Sequence, residues 1–311
     1  NLSDVLNVIE SRVDGNFDDL DNYDLKLDIH NKIPDLMLDN TDRNRTSPFA
    51  FTGNKFELRA VGSADNCASP MIIMNTIVAN TLTEFKTDVE VLAKKGDKKD
   101  VAILKVLRKY IKASKKIRFE GDNYSQEWEK EAEKRGLSNN KNTPDALDGY
   151  VSKKAIKLFA DHEIFTPDEI HARYDIRLEK YTLQVQIESR VLGEVALSHI
   201  IPTAIRYQKE LVDSVRALKE INMPKSTMES QLTVIKNVSE HINNVVKGVD
   251  SMIDERRKAN RIVDSRKRAN AYCNKVKPWF EKIRYHLDKL ELLIEDKSWP
   301  LPKYRELLFV R

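Results

Sequence analysis

The 311-residue sequence is 41% hydrophobic, enough to bury a sizeable core in one large domain or two smaller ones. A third of its residues are charged, yet 53 basic against 49 acidic side chains leave only +4, which argues against a nucleic-acid binder by bulk charge. Two cysteines, Cys67 and Cys273, exclude a disulfide framework or a cysteine-rich zinc site within one chain; no apolar run approaches the roughly 18 residues of a membrane span, and no basic-then-apolar leader opens the sequence, so a cytoplasmic location is expected.

Nine glycines and ten prolines amid abundant Leu, Lys, Glu, Ala and Arg favour helices over a many-stranded β-protein. The first residue is Asn and the chain opens inside an amphipathic pattern, Leu2, Val5, Leu6, Val8 and Ile9, so a piece of a longer sequence is expected. Its first forty residues read as helix and then turns, with Gly15 and Pro34 as breakers. Phe49 to Phe51 and Phe56 to Val61 read as short strands joined at Thr52-Gly53-Asn54, where Gly and Asn tolerate a left-handed backbone. Pro70 then opens a helix in which Met71, Met74, Val78, Leu82, Phe85, Val89 and Leu92 recur every three or four residues, the pattern of one buried stripe.

After the charged turn Gly96 to Asp100, a helix is expected over Val101 to Ala113 and a short one from Tyr124 to Arg135, stopped by Gly136. Leu137 to Asn142 reads as a loop, and Thr143-Pro144 and Thr166-Pro167 each supply a cap and a first-turn proline. The helical pattern from Thr166 runs to about Leu218, with a kink or break expected at Pro202. Beyond Met223-Pro224, Ile235, Val238, Ile242, Val246, Val249 and Ile253 form one stripe. Val276, Phe280, Ile283, Leu287, Leu290 and Ile294 form another with coiled-coil spacing, predicting an antiparallel three-helix hairpin. Trp299 to Pro302 ends the last helix, and Tyr304 to Val310 is expected to return as a strand.

The most informative stretch is Asn44-Arg45-Thr46-Ser47-Pro48-Phe49-Ala50-Phe51-Thr52-Gly53-Asn54-Lys55-Phe56-Glu57-Leu58-Arg59. On a strand of period two, Lys55, Glu57 and Arg59 share one face and Phe56 and Leu58 the other. That row of cation, carboxylate and cation suits a phosphate, a divalent metal and a substrate carboxylate, with Arg45 reaching in from the preceding loop. The plain alternative is a strand with one packed face and one wet one.

Followed by Ala60-Val61-Gly62-Ser63, this stretch resembles the arginine-rich active-site segment of the glutamine synthetases, in the version of the long type III enzymes. The resemblance extends through Asp39 to Arg43, Asn75 to Ala79, Asn123 to Trp128, Lys130 to Leu137, Thr143 to Leu147, Phe165 to Tyr174 and Trp299 to Phe309, nearly the whole chain. It implies a mainly α fold, a long-helix bundle attached to a few antiparallel strands that are the last part of an α+β catalytic domain. Residues 1–95 would end that domain, 96–222 continue it as helices, and 223–311 form the long-helix hairpin and terminal strand.

The resemblance also implies an ATP-dependent glutamate–ammonia ligase that makes glutamine through γ-glutamyl phosphate, with Mg2+ or Mn2+. Its partners would be L-glutamate, ammonia and further copies of itself in stacked rings, with no nucleic acid and no membrane. Arg45 matches the arginine that stabilises the phosphoryl group in transfer. Lys55 stands where related enzymes carry a nucleotide-contacting arginine, keeping the cation and losing the bidentate fork. Glu57 matches a ligand of the nucleotide-side metal, and Arg59 the arginine that holds glutamate and the transferring phosphate. One departure is Ala50, where common enzymes place a further arginine. Because most metal and ammonium-site residues of the family lie upstream of this motif, the chain alone is expected to be inactive.

Two other readings fit the residues: a γ-glutamyl amine ligase of the same superfamily, and a non-catalytic helical interaction module built on the coiled-coil stripes. His30, His162, His171, His199, His241 and His286 are scattered without the i,i+4 spacing of a helical metal site, and structural or exposed roles are expected of them. Arg256, Arg257, Lys258, Arg261, Arg266, Lys267 and Arg268 are interspersed with Asp254, Glu255 and Asp264, so a solvated or intersubunit face is expected there.

Overall fold

The computed structural model describes residues 66–119 and 125–308, together with residues 6–7, 9–10, 26–27, 36–37, 49–51 and 55–58. The protein is mainly helical. Two antiparallel strand pairs stand among the described residues, β1 (Lys26–Leu27) with β2 (Leu36–Met37), and β3 (Phe49–Phe51) with β4 (Phe56–Leu58). The breakers Gly15 and Pro34 and the turn Thr52 to Asn54 lie outside the described residues. The chain divides into two compact units, residues 1–139 with 157–165, and residues 140–156 with 166–311.

In the first unit, α1 (Ala68–Lys94) and α2 (Lys99–Ala113) pack around Val89, Ala102 and Val106. Gly96, at φ +104°, makes the tight reversal between them. The expected α1 stripe is covered mainly in its carboxy-terminal half: Val89 is buried and Phe85 and Leu92 are partly so, as is Met74 further up, whereas Met71, Val78 and Leu82 are exposed. The reason is length. At about 1.5 Å per residue, α2 is too short to follow its 27-residue neighbour to the other end. Ser125 caps α3 (Gln126–Lys134) by accepting from the Trp128 amide at 3.2 Å, and Gly136, at φ +76°, stops it as expected. Trp128 stacks on Phe119 with ring centres 3.8 Å apart.

In the second unit, α4 (Thr143–Leu147) is capped by Asn142 and not by Thr143. Asn142 has the extended backbone a cap requires, and its side chain accepts from the Asp145 amide at 2.9 Å. α5 (Lys153–Asp161) begins in this unit, but its residues from 157 on belong to the first. α6 (Pro167–Glu194) is opened by a capping box in which Thr166 and Glu169 satisfy each other's amides. The expected break at Pro202 is absent. A π-turn over Val195–Ile200 widens the helix just before the proline, so α6 runs into α7 (Ile201–Glu220) without interruption.

Asn222, at φ +57°, and a 3-10 turn at Lys225–Thr227 reverse the chain into α8 (Glu229–Asn260). It is followed by α9 (Ser265–Ala271), a π-turn over Tyr272–Val276, and α10 (Pro278–Leu293). α8 packs on both α7 and α10, around a core that includes Val238, Val245, Val249, Met252, Tyr272, Val276, Ile283, Leu287 and Leu290. The seam from Val276 to Ile294 is buried as its spacing requires, with Phe280 partly so. The α8 stripe is broader than periodicity showed, because two partners grip it: Val245 and Met252 are fully buried while Ile242 and Val246 are only partly so. Gly248 marks the closest approach, where an added Cβ would lie 3.0 Å from Ile283 Cγ1.

The expected final strand is a helix, α11 (Tyr304–Leu308). Tyr-Arg-Glu-Leu-Leu is good helix sequence, and Glu306 accepts from the Lys303 amide at 3.4 Å, steadying a first turn.

Candidate functional site

The β3–β4 hairpin sets Phe49 opposite Leu58, Ala50 opposite Glu57, and Phe51 opposite Phe56. Alternation on β4 puts Lys55 and Glu57 on one side, and they meet there: Lys55 Nζ lies 3.1 Å from Glu57 Oε1. The pair is wet, with side chains 68% and 41% exposed, so its direct contribution to stability is at most about 1 kcal/mol. On the apolar side Phe56 is 58% exposed and Leu58 half-buried. Arg45 and Arg59, the other two expected site residues, lie outside the described residues.

Glu57 offers one hard oxygen ligand of the kind Mg2+ prefers, held beside a cation that a dication would replace. Among the described residues, no group of three or more His, Cys, Asp and Glu side chains is arranged to hold a metal ion. Glu57 therefore fits as one ligand of a shared site, not as a complete site.

A second charged cluster escaped the sequence reading. Arg266 Nε and Nη2 each donate to Asp148 at 2.7 Å, and Nη2 also donates to Asp145 at 2.7 Å, while the Tyr174 hydroxyl donates to Asp148 at 2.7 Å. The guanidinium fork holds both carboxyls below their usual range, and burial together with the Asp148 bond pushes Tyr174 up to about 12. This cluster ties α9 to the 142–148 turn and α6, so Arg266, within the basic stretch, serves as internal bracing. The spacing of Asp145 and Asp148 on one helical face was the available signal; its arginine, 118 residues beyond Asp148, was not.

The histidines also change company. His241 Nδ1 and His286 Nδ1 lie 3.0 Å apart, across the α8–α10 packing, so one ring donates to the other. Desolvation and the neighbouring His286 hold His241 below the ordinary imidazole pKa. No helix among the described residues is long and apolar enough to cross a membrane.

Residues 102–219 match the family described as glutamine synthetase C-terminal domain. The chain is 46% identical over 290 residues to a protein named glutamine synthetase from Bacteroides fragilis, an alignment covering 92% of this chain and 40% of that protein. It is 36% identical over 285 residues to a type-3 glutamine synthetase from Dictyostelium discoideum, covering 89% and 38% respectively. A glutamine synthetase from Butyrivibrio fibrisolvens is 34% identical over 278 residues, covering 87% and 38%. The chain thus spans about two fifths of the length of the curated relatives it matches.

Proposed function

Since the chain belongs to the glutamine synthetase family, as a carboxy-terminal portion, we propose that it serves an ATP-dependent ligase that joins ammonia to L-glutamate through γ-glutamyl phosphate. The observation that supports this reading is the hairpin pairing Lys55 with Glu57, within a sequence similar over 92% of its length to a named glutamine synthetase. The names of these relatives give no support to the γ-glutamyl amine ligase or to the non-catalytic helical module.

The β3–β4 strands are then the last part of an α+β catalytic domain, ending near residue 95. Residues 96–222 continue it as helices, and 223–311 add the long-helix hairpin. Mg2+ or Mn2+, when bound, neutralises the nucleotide phosphates and draws charge off the transferring group. Glu57 contributes one oxygen to hold that ion, and the strand fixes the direction in which it points. Lys55 would present a cation to the nucleotide, and its contact with Glu57 orients that carboxylate. Arg45 steadies the transferring phosphoryl group, and Arg59 holds glutamate against it, so nucleophile and phosphate meet despite their like charge.

The remaining metal ligands and the ammonium site come from outside this chain, and the working enzyme is a cytoplasmic homo-oligomer of stacked rings with sites completed between subunits. Glutamine-forming or hydroxamate-forming turnover by the 311-residue chain alone, near that of a full-length enzyme, would overturn the incompleteness of this site. Glu57→Ala and Arg59→Ala in the full-length protein test the assignment itself: activity is lost while assembly is kept, and an unchanged rate for both removes the hairpin from catalysis.

A further inference from the structure

We propose that the exposed face of α6 pairs antiparallel with the same face of a second copy of this chain, about a two-fold axis passing through Ile187. The proposal rests on the homo-oligomer reading and names the surface that reading leaves open.

α6 is apolar on two sides. One side, with Ile170, Leu178, Val185 and Gly193, is buried in its own unit. The opposite side carries Leu183, Ile187 and Val191, which remain 54%, 52% and 52% exposed. At about 100° per residue, Lys180, Leu183, Ile187, Val191 and Glu194 fall within an arc of about 80° centred on Ile187. A stripe of three adjacent large aliphatic side chains, each half in water, is a surface that gains by being covered.

Charge selects the occupant and its direction. The stripe is a charge palindrome: going outward from Ile187, four residues away on each side stands an aliphatic group, and seven residues away stand Lys180 on one side and Glu194 on the other. Rotating a copy by a half turn about Ile187 sets Leu183 against Val191, Ile187 against itself, and Lys180 against Glu194, twice over by symmetry. In this register no like charges stand at paired positions between 173 and 201. A parallel pairing would instead set Lys180 against Lys180 and Glu194 against Glu194. The whole contact from Lys180 to Glu194 is regular α-helix, ending where the π-turn begins, and spans about 21 Å.

The test is oxidative cross-linking of the full-length protein with Cys67 replaced by Ser, read by non-reducing electrophoresis beside sedimentation velocity. Ile187→Cys is expected to form a disulfide dimer several times more abundant than Val263→Cys, a control in the same unit that is 93% exposed. Lys180→Glu or Glu194→Lys alone is expected to cut that yield severalfold, and the two together to restore it. All four changes fall at exposed positions, and circular dichroism verifies that the helices persist. A yield for Ile187→Cys no higher than for Val263→Cys, or a double reversal that fails to restore it, overturns the proposal. If sedimentation shows assembled rings without the cross-link, this face alone is excluded; a monomeric wild-type protein removes the homo-oligomer reading as well.

Discussion

The β3–β4 hairpin and the helices from α6 to α10 are opposite kinds of structure. In the hairpin two adjacent charges contact each other at 3.1 Å in water, and its outward Phe56 stays 58% exposed. In the helices Val238, Val245, Val249 and Leu290 are fully buried and no charge sits among them. The proposed chemistry and the described core thus fall on different residues. The hairpin carries the expected site residues Lys55 and Glu57, whereas the helices supply a buried core and none of the expected site residues.

Substitutions can break this division at either end, and the largest effect belongs to the hairpin. In the full-length enzyme Arg59→Ala is expected to lower kcat by about 10²–10³-fold, the scale for losing one preorganised charge-stabilising group, with the unfolding temperature nearly unchanged. Glu57→Ala should in addition raise the metal concentration needed for half-maximal rate. A comparable fall in stability would mean that the hairpin also holds the fold.

In the helices the converse holds. Leu290→Ala is expected to cost about 2–5 kcal/mol by denaturant unfolding, because a fully buried side chain leaves a cavity in close packing. Substrate affinity of the molecules that remain folded should be unchanged.

Arg266→Ala should have a smaller effect, lowering the thermal midpoint less than Leu290→Ala because Asp145 and Asp148 are each about half exposed. Both carboxyls are held below their ordinary pKa, so the stability they contribute is full above about pH 4 and is lost as pH falls through the lowered values. The variant should therefore show a flatter stability profile in that acid range than the parent.

The smallest effect is expected at His241. Its pKa is lowered in the fold, so the folded state holds its proton less tightly than the unfolded chain. Its contribution is present above about pH 6.5 and declines as pH falls below it. Burial is the largest cause of that shift; the neighbouring His286 and Lys289 add to it and Glu240 opposes it. His241→Gln should flatten the profile below about pH 6.5, and thermal melts across that acid range measure it.

How far the sequence could be read follows from the range of each signal. The π-turn before Pro202 and the helix at Tyr304–Leu308 were missed because proline and aromatic content argue locally, whereas a whole helix decides how a turn is accommodated. The exposed half of the α1 stripe was misread because periodicity shows which face is apolar, not what covers it.

The sequence by itself determined the helical phases, the cap at Thr166, the stop at Gly136, and the strand alternation that puts Lys55 beside Glu57. Each depends on neighbours within a few residues, where backbone geometry fixes spacing. Only the tertiary structure decided that Arg266 serves Asp145 and Asp148, that His241 meets His286, and that Gly248 admits Ile283. Those contacts join residues from 35 to 121 positions apart, and chain entropy lets no local pattern specify them; they appear when buried stripes dock and bring remote side chains within bonding distance.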